Sequence, residues 1–420
     1  MSVNALFILI GGIIFLGIAG AYLFEKTRIP DVLILMGLGF ILGPVAKLVD
    51  PSALRLVSPY FGTLALVVIL FEGGLGIDLR QLISQFAPAT FLTLFTFVLT
   101  MAGIAFLGHQ ALGLSWTAAS ILGAILCASP SPSISIPVIS RMKIPEKTKT
   151  LMVLESGLAD VLAVVVALAL IDVAIQGQTQ IVGQTFVRLI QAFLVASTLA
   201  GLAGIAWLKI LNLLGRHHLS YMMTLGVTLA LYSLVEWLGG SGAIAALVFG
   251  ITLTNSEQVF RRFQMDHHFL IDKKLVAFHA EISFFIRTFF FVYLGWVTSL
   301  KDFNLLFGIF VVGLLMTMFL VRSGVVRVLS KIAPSQRPFE GLYWIMIPRG
   351  LTVAVLAGVP ALEKIPGCEH FVDYAFAMIL ATNLVLTLGL STIEKKIPSL
   401  PDGSPPPSPS DPTLDTVSIG

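Results

Sequence analysis

The sequence predicts an all-α, multi-pass membrane protein, and three observations carry the prediction. Apolar residues make up 56% of the 420-residue chain and charged residues 12%, with a mean hydropathy of +0.94; a soluble domain is about 25% charged. The apolar residues gather into about thirteen stretches of bilayer-crossing length, for which about 20 residues suffice. Two of those stretches carry prolines at mid-span. Proline frees backbone groups, and lipid tolerates these only where protein or water covers them.

In chain order the expected spans cover residues 5–24, 31–49, 61–76, 87–107 and 116–139. They continue at 150–175, 184–212, 219–238 and 240–254, and end at 276–298, 304–322, 341–361 and 371–391. The opening MSVNALFILIGG lacks a basic n-region and a cleavage site followed by soluble sequence, and reads as a retained first helix. With the N-terminus outside, the cytoplasmic loops collect Lys26, Arg28, Arg80, Arg141, Lys143, Lys147, Lys149, Lys209 and Arg216. Further along they collect Arg261, Arg262, Lys273, Lys274, Arg322, Arg327, Lys331, Arg337, Lys395 and Lys396. The outer loops hold only Lys47, Arg55, Lys301 and Lys364. That asymmetry predicts a plasma or inner membrane protein with its N-terminus outside and its C-terminus in the cytoplasm. Arg188, near the outer end of the seventh span, can snorkel.

Residues 1–396 read as one transmembrane domain. The proline- and serine-rich 397–420 reads as a disordered cytoplasmic tail. Cys127 and Cys368 give neither a disulfide framework nor metal-ligand spacing. No nucleotide-binding, zinc-protease or serine-hydrolase motif stands in a supporting context, so neither an enzyme nor a bound cofactor nor a nucleic-acid partner is expected.

Two pairs of landmarks recur at nearly one offset. Leu75-Gly76 in FEGGLGIDL and Leu294-Gly295 in FVYLGWVTSL stand 219 apart; Pro130-Ser131 and Pro348-Arg349 stand 218 apart. Each shift is seven spans. An odd shift reverses orientation, so residues 5–175 and 219–391 are expected to be inverted six-helix repeats, the internal symmetry of many secondary transporters. In such folds, interrupted helices at corresponding positions mark the ion site. The interrupted spans are CASPSPSISIP, with Pro130, Pro132 and Pro137, and IMIPRGLTV, with Pro348, Arg349 and Gly350. Their half-helix ends present partial charges.

The sixth span contains LMVLESGLADVLAVVVALAL, with Glu155 and Asp160. An intramembrane charge costs at least ~2.5–3.5 kcal/mol, so such acids are functional candidates by default. At about 100° per residue, five positions separate the carboxylates by about 140°. They cannot both face one ion. One can point into a binding cavity while the other turns to a neighbouring helix. Hard monovalent cations want oxygen ligands. Ser129, Ser131, Ser133 and Ser156 can supply hydroxyls, or can bond back to their own helices and help bend them. Ser156 lies four before Asp160, on the same face.

Together these residues resemble the monovalent cation:proton antiporter family, of sodium/hydrogen exchanger type, over about residues 5–392. Phe71–Leu79 is similar to that family's FxxGLxxDL ending of the third span. PEKTKTLMVLESGLAD, from Pro145 to Asp160, is similar to its P-x(n)-E-S-x-x-N-D segment. Pro348-Arg349-Gly350 is similar to the arginine-glycine motif of its second broken helix. The resemblance implies the sodium/proton antiporter fold with two crossed, broken helices. It implies that Asp160 binds the cation and the proton in turn, and that Glu155 is structural and paired with an arginine, best matched by Arg322. It also implies a homodimer through the first spans. Two departures stand out. Ala159 replaces the family's asparagine, and Pro130-Ser131-Pro132 replaces its threonine-aspartate-proline. They leave the cation, Na+ or K+, to be determined.

Exchange needs one site that two cations contest. A carboxylate serves because burial favours its neutral form and a nearby cation its ionised form. Arg349 is expected to face the acids or to hold the crossing helices. Arg287, at mid-span, needs a partner; Glu155, Asp160 or an interhelical brace are the readings. His217, His218, His267, His268 and His279 fall at cytoplasmic loops and helix ends, with solvation as the default and pH sensing as the alternative. Asp78 is expected at the cytoplasmic interface and Glu72 along a cytoplasmic funnel. The function expected is antiport of H+ against Na+, with K+ as runner-up. A symporter of organic anions on the same architecture predicts a site ruled by arginines. A channel or receptor predicts no proton coupling.

Overall fold

A computed structural model of the chain describes residues 3–27, 30–46, 51–77, 79–128, 130–140, 142–176, 182–214, 220–258, 273–298 and 303–393. Asp78, Ser129, His217, His218, His267, His268 and the 397–420 tail lie outside the described residues. So do the side chains of Ser133 and Arg188 and many loop lysines and arginines.

Every regular element among the described residues is helical. The first are α1 (Val3–Thr27), α2 (Asp31–Phe40) with a π-helical turn at Ile41–Val45, α3 (Pro51–Leu75) and α4 (Leu79–Leu112). Next come α5 (Trp116–Leu126), α6 (Pro132–Ser140), α7 (Glu146–Gln176) and α8 (Val182–Leu214). After α9 (Ser220–Trp237) and α10 (Gly242–Thr254) follow α11 (Lys273–Val297) and α12 (Leu305–Ile332). A 3-10 turn (Pro334–Phe339) leads into α13 (Glu340–Ile345), α14 (Leu351–Leu362) and α15 (Phe371–Ile393). Six of these helices are long and apolar enough to cross a membrane, and shorter apolar helices include α5, α10 and α14.

Helix starts follow polar residues at the edges of the apolar runs. The hydroxyls of Ser115 and Ser241 and the amide oxygen of Asn304 accept from the backbone N–H of Ala118, Ile244 and Phe307 at 3.1, 3.4 and 2.8 Å, each satisfying an orphan donor. The expected span at 304–322 is corrected to a helix that ends ten residues later, α12, which runs through Arg322. A charge stops an apolar run on paper; inside the fold it continues because Arg322 has a buried partner, described below.

Both proline-bearing segments are broken. The 116–139 span splits into α5 and α6 around residues 127–131, and the 341–361 span into α13 and α14 around 346–350. Pro132 opens α6, a position where its missing N–H costs little. Pro137 does not break the helix; it lies within α6.

Two crossings bring backbones into contact. A Cβ on Gly74 of α3 would lie 2.2 Å from the Leu247 carbonyl oxygen of α10, and one on Gly250 would lie 2.4 Å from that of Phe71. A Cβ on Gly39 of α2 would lie 2.0 Å from the Val292 carbonyl oxygen of α11, and one on Gly295 would lie 2.2 Å from that of Met36. Only glycine permits such approach. The largest buried cluster surrounds the broken helices and takes in Leu126, Ile134, Leu154, Met318 and Leu351. A second forms around Phe71, Trp207 and Phe249. Large apolar side chains such as Phe15, Trp237 and Leu305 face outward.

Candidate functional site

The site is built on α7. Glu146 stands in the helix's first turn, where an acid suits the N-terminal dipole. From Leu151 to Leu170 the run is apolar except for Glu155, Ser156 and Asp160, all buried. The 140° between the acids sends them to different neighbours, Glu155 to α12 and Asp160 to α14.

Glu155 is fully engaged. Arg322 Nη1 donates to its Oε1 at 2.5 Å and Nη2 to its Oε2 at 3.1 Å, with both residues 1% exposed. Arg322 Nε donates to the Tyr343 carbonyl of α13. The Tyr343 hydroxyl donates to Gln336 Oε1 at 3.0 Å, and that oxygen also accepts from the Thr148 hydroxyl at 2.9 Å. This network ties α7, α12, the 3-10 turn and α13 together. A bidentate guanidinium–carboxylate fork is among the stronger charge-assisted contacts.

Asp160 is 6% exposed and sparsely held. Its Oδ2 accepts from the Thr352 hydroxyl at 2.9 Å. Its Oδ1 has no hydrogen-bond partner among the described residues. Thr352 is the second residue of α14, so the break before α14 brings that donor to the acid.

The two breaks touch. The backbone N–H of Ser131 donates to the Pro348 carbonyl at 2.9 Å, and the Ser131 carbonyl accepts from Ile134 and Ser135 as α6 begins. A Cβ on Gly350 would lie 2.0 Å from Ser131 Oγ, so the crossing needs glycine there. Ser131 is 4% exposed. Ser156 donates to the Val153 carbonyl at 2.8 Å, the back-bonding alternative.

Arg349, 3% exposed, makes no direct contact with either acid among the described residues. Its Nη1 donates to the Ile347 carbonyl and its Nη2 meets Met318 Sδ, both at 3.2 Å. Its backbone N–H donates to the Thr382 hydroxyl and its carbonyl accepts from Asn383, both at 3.0 Å, fastening the second break to α15. It remains within electrostatic reach of Asp160.

Arg287 is a correction. It does not pair with Glu155 or Asp160; its Nη2 lies 3.5 Å from Asp31 Oδ2 and its guanidinium 5.7 Å from the Phe284 ring centroid. Position along the span placed it at the site's depth, but its rotation on α11 turns it to the start of α2. That contact joins α11 to α2, as an interhelical brace would. Glu72 hydrogen-bonds Ser283 near Arg287. His279 is also a correction, being fully buried and packed edge-on against Phe71 and Phe278 rather than solvated. Thr352, Tyr343, Gln336 and Asn383 went unforeseen. Only Thr352, in the quoted IMIPRGLTV segment, carried a signal: a hydroxyl just after the break.

The transmembrane sodium/hydrogen exchanger family profile matches residues 11–396. The chain is 27% identical over 393 residues to "Na(+)/H(+) antiporter 1" of Methanocaldococcus jannaschii, covering 90% of this chain and 88% of that one. It is 22% identical over 393 residues to "K(+)/H(+) antiporter NhaP" of Alkalimonas amylolytica, covering 91% and 65%. Its fold matches the solved structure of the sodium proton antiporter MjNhaP1 from Methanocaldococcus jannaschii at pH 8, with a TM-score of 0.77, 23% identity, and 94% and 97% of the two chains covered.

Proposed function

The chain belongs to the sodium/hydrogen exchanger family, a family of transporters rather than enzymes, and we propose that it is a secondary antiporter exchanging H+ for Na+ by alternating access. Asp160 is the contested group, binding the cation and the proton in turn. The observation that carries this reading is the contrast on α7: Glu155 is neutralised by a bidentate arginine, while Asp160 keeps one oxygen free beside two helix breaks. Oxygens for the cation come from that carboxylate, the Thr352 and Ser131 hydroxyls, and backbone carbonyls at the breaks. Glu155 and Arg322 hold the scaffold, and Arg349 balances charge. K+ is the second reading, favoured by relatives named as K+/H+ antiporters.

The same reading takes the chain as thirteen spans in two inverted repeats. A shift of seven spans exchanges the α3–α10 crossing with the α11–α2 crossing, and both are close glycine contacts. The basic-residue asymmetry supports an N-terminus outside and a C-terminus in the cytoplasm. A homodimer in the bilayer completes the assembly.

The test is proton flux in proteoliposomes. Na+, K+ and Li+ are added in turn to wild type and Asp160→Asn. Na+ is expected to collapse a preset pH gradient with wild type only. If no monovalent cation moves protons, or if Asp160→Asn is as active as wild type, the reading fails.

A further inference from the structure

Thr93, Thr96 and Thr100 of α4 stand at the spacing of one helical stripe. They line a small cavity together with Glu155, Ala159, Arg322 and Arg349. The Thr93 hydroxyl is accounted for, since it donates to the Ala89 carbonyl at 2.8 Å. The hydroxyls of Thr96 and Thr100 and the Nε of Arg349 have no partner among the described residues. Arg349 is 3% exposed and Thr100 2%. The other guanidinium contacts of Arg349 are a carbonyl and a thioether, neither charged. Buried polar atoms are seldom left unpaired, and the cost is greatest for a charged donor. Here three of them belong to residues of α4 and of the second break that line one cavity with room for about one water molecule. On the α7 side the lining is Glu155, held by Arg322, and the methyl group of Ala159, which keeps the cavity open one residue from Asp160.

We propose that this cavity is a hydration site, in which one ordered water accepts from Arg349 Nε and exchanges hydrogen bonds with the Thr96 and Thr100 hydroxyls. The water, held by the α4 stripe, positions the guanidinium away from the free oxygen of Asp160. Without it, Arg349 turns to that oxygen and competes with the cation. The consequence for transport rests on the antiport reading above; the water itself does not.

The test joins a density map fine enough to show ordered water with exchange kinetics. Wild type is expected to show one peak within hydrogen-bonding distance of Arg349 Nε, Thr96 Oγ1 and Thr100 Oγ1. Thr100→Val and Thr96→Val keep the side-chain shape and are expected to lose the peak. They should raise the apparent KM for the cation about three- to ten-fold, the loss of one ordinary hydrogen bond, with Vmax largely kept. Thr100→Ser is expected to restore both. A dry cavity in wild type overturns the proposal. So does a peak that becomes bromide when chloride is exchanged for it, or valine variants with the wild-type KM. Should Thr100→Val fail to fold, the wild-type map and Thr96→Val decide. If wild type shows the water but moves no cation, the antiport reading falls and the hydration site stands.

Discussion

Glu155 and Asp160 sit five residues apart on one helix, both nearly out of solvent, yet their surroundings differ in kind. Glu155 receives two guanidinium donors and anchors a network that reaches four elements. Asp160 receives one hydroxyl. On the proposed reading, burial therefore does not separate a structural acid from an exchanging one. The number of fixed donors does. An acid already saturated by a permanent cation has nothing to offer a transported one, whereas an acid with a free oxygen beside two helix breaks can take either ion.

The strongest way to break this contrast is to remove one member of the saturated pair. Arg322→Met leaves Glu155 buried and alone and is expected to cost about 3–5 kcal/mol, read as a lowered thermal midpoint in detergent. Replacing both, as Glu155→Gln with Arg322→Met, is expected to recover much of that loss. Asp160→Asn is expected to do the reverse. Exchange is abolished, while stability changes by about 1 kcal/mol or less, because no ion pair is lost. Weakening the single donor gives a graded effect. Thr352→Val removes the hydroxyl that donates to the Asp160 carboxylate, and the apparent KM for the cation rises about ten-fold or more in flux assays. Acidification acts in the same direction. Protons compete for the same oxygens, so KM rises as pH falls, while Vmax at saturating cation is kept. The smallest effect belongs to the other arginine–carboxylate pair. Asp31→Asn breaks a looser contact of 3.5 Å whose side chains are 13% and 21% exposed. Arg287 keeps its stacking on Phe284, so the loss is about 1 kcal/mol or less and exchange is unchanged.

The helices were legible wherever an apolar run reached span length, and both breaks followed from proline. The separation of Glu155 from Asp160 followed from helical periodicity alone. What periodicity does not encode is the rotation of one helix against another. Arg287 could be offered to Glu155, Asp160 or a brace but not assigned among them for that reason, and its contact is with Asp31. Arg322 misled in the opposite way. A charge at the edge of FLV reads as a helix end until its partner, 167 residues earlier, is brought beside it. Tyr343, Gln336 and Asn383 were invisible because polar residues near span ends are common, and only the packed fold shows which ones are shared.

The account turns on one carboxylate contested by two ions, and proton release on cation binding tests that most directly. Na+ is added to purified protein in weakly buffered detergent solution while pH is followed. Wild type is expected to release protons saturably, and Asp160→Asn none. Release from Asp160→Asn equal to that of wild type, or Na+ binding to wild type without release, would contradict it.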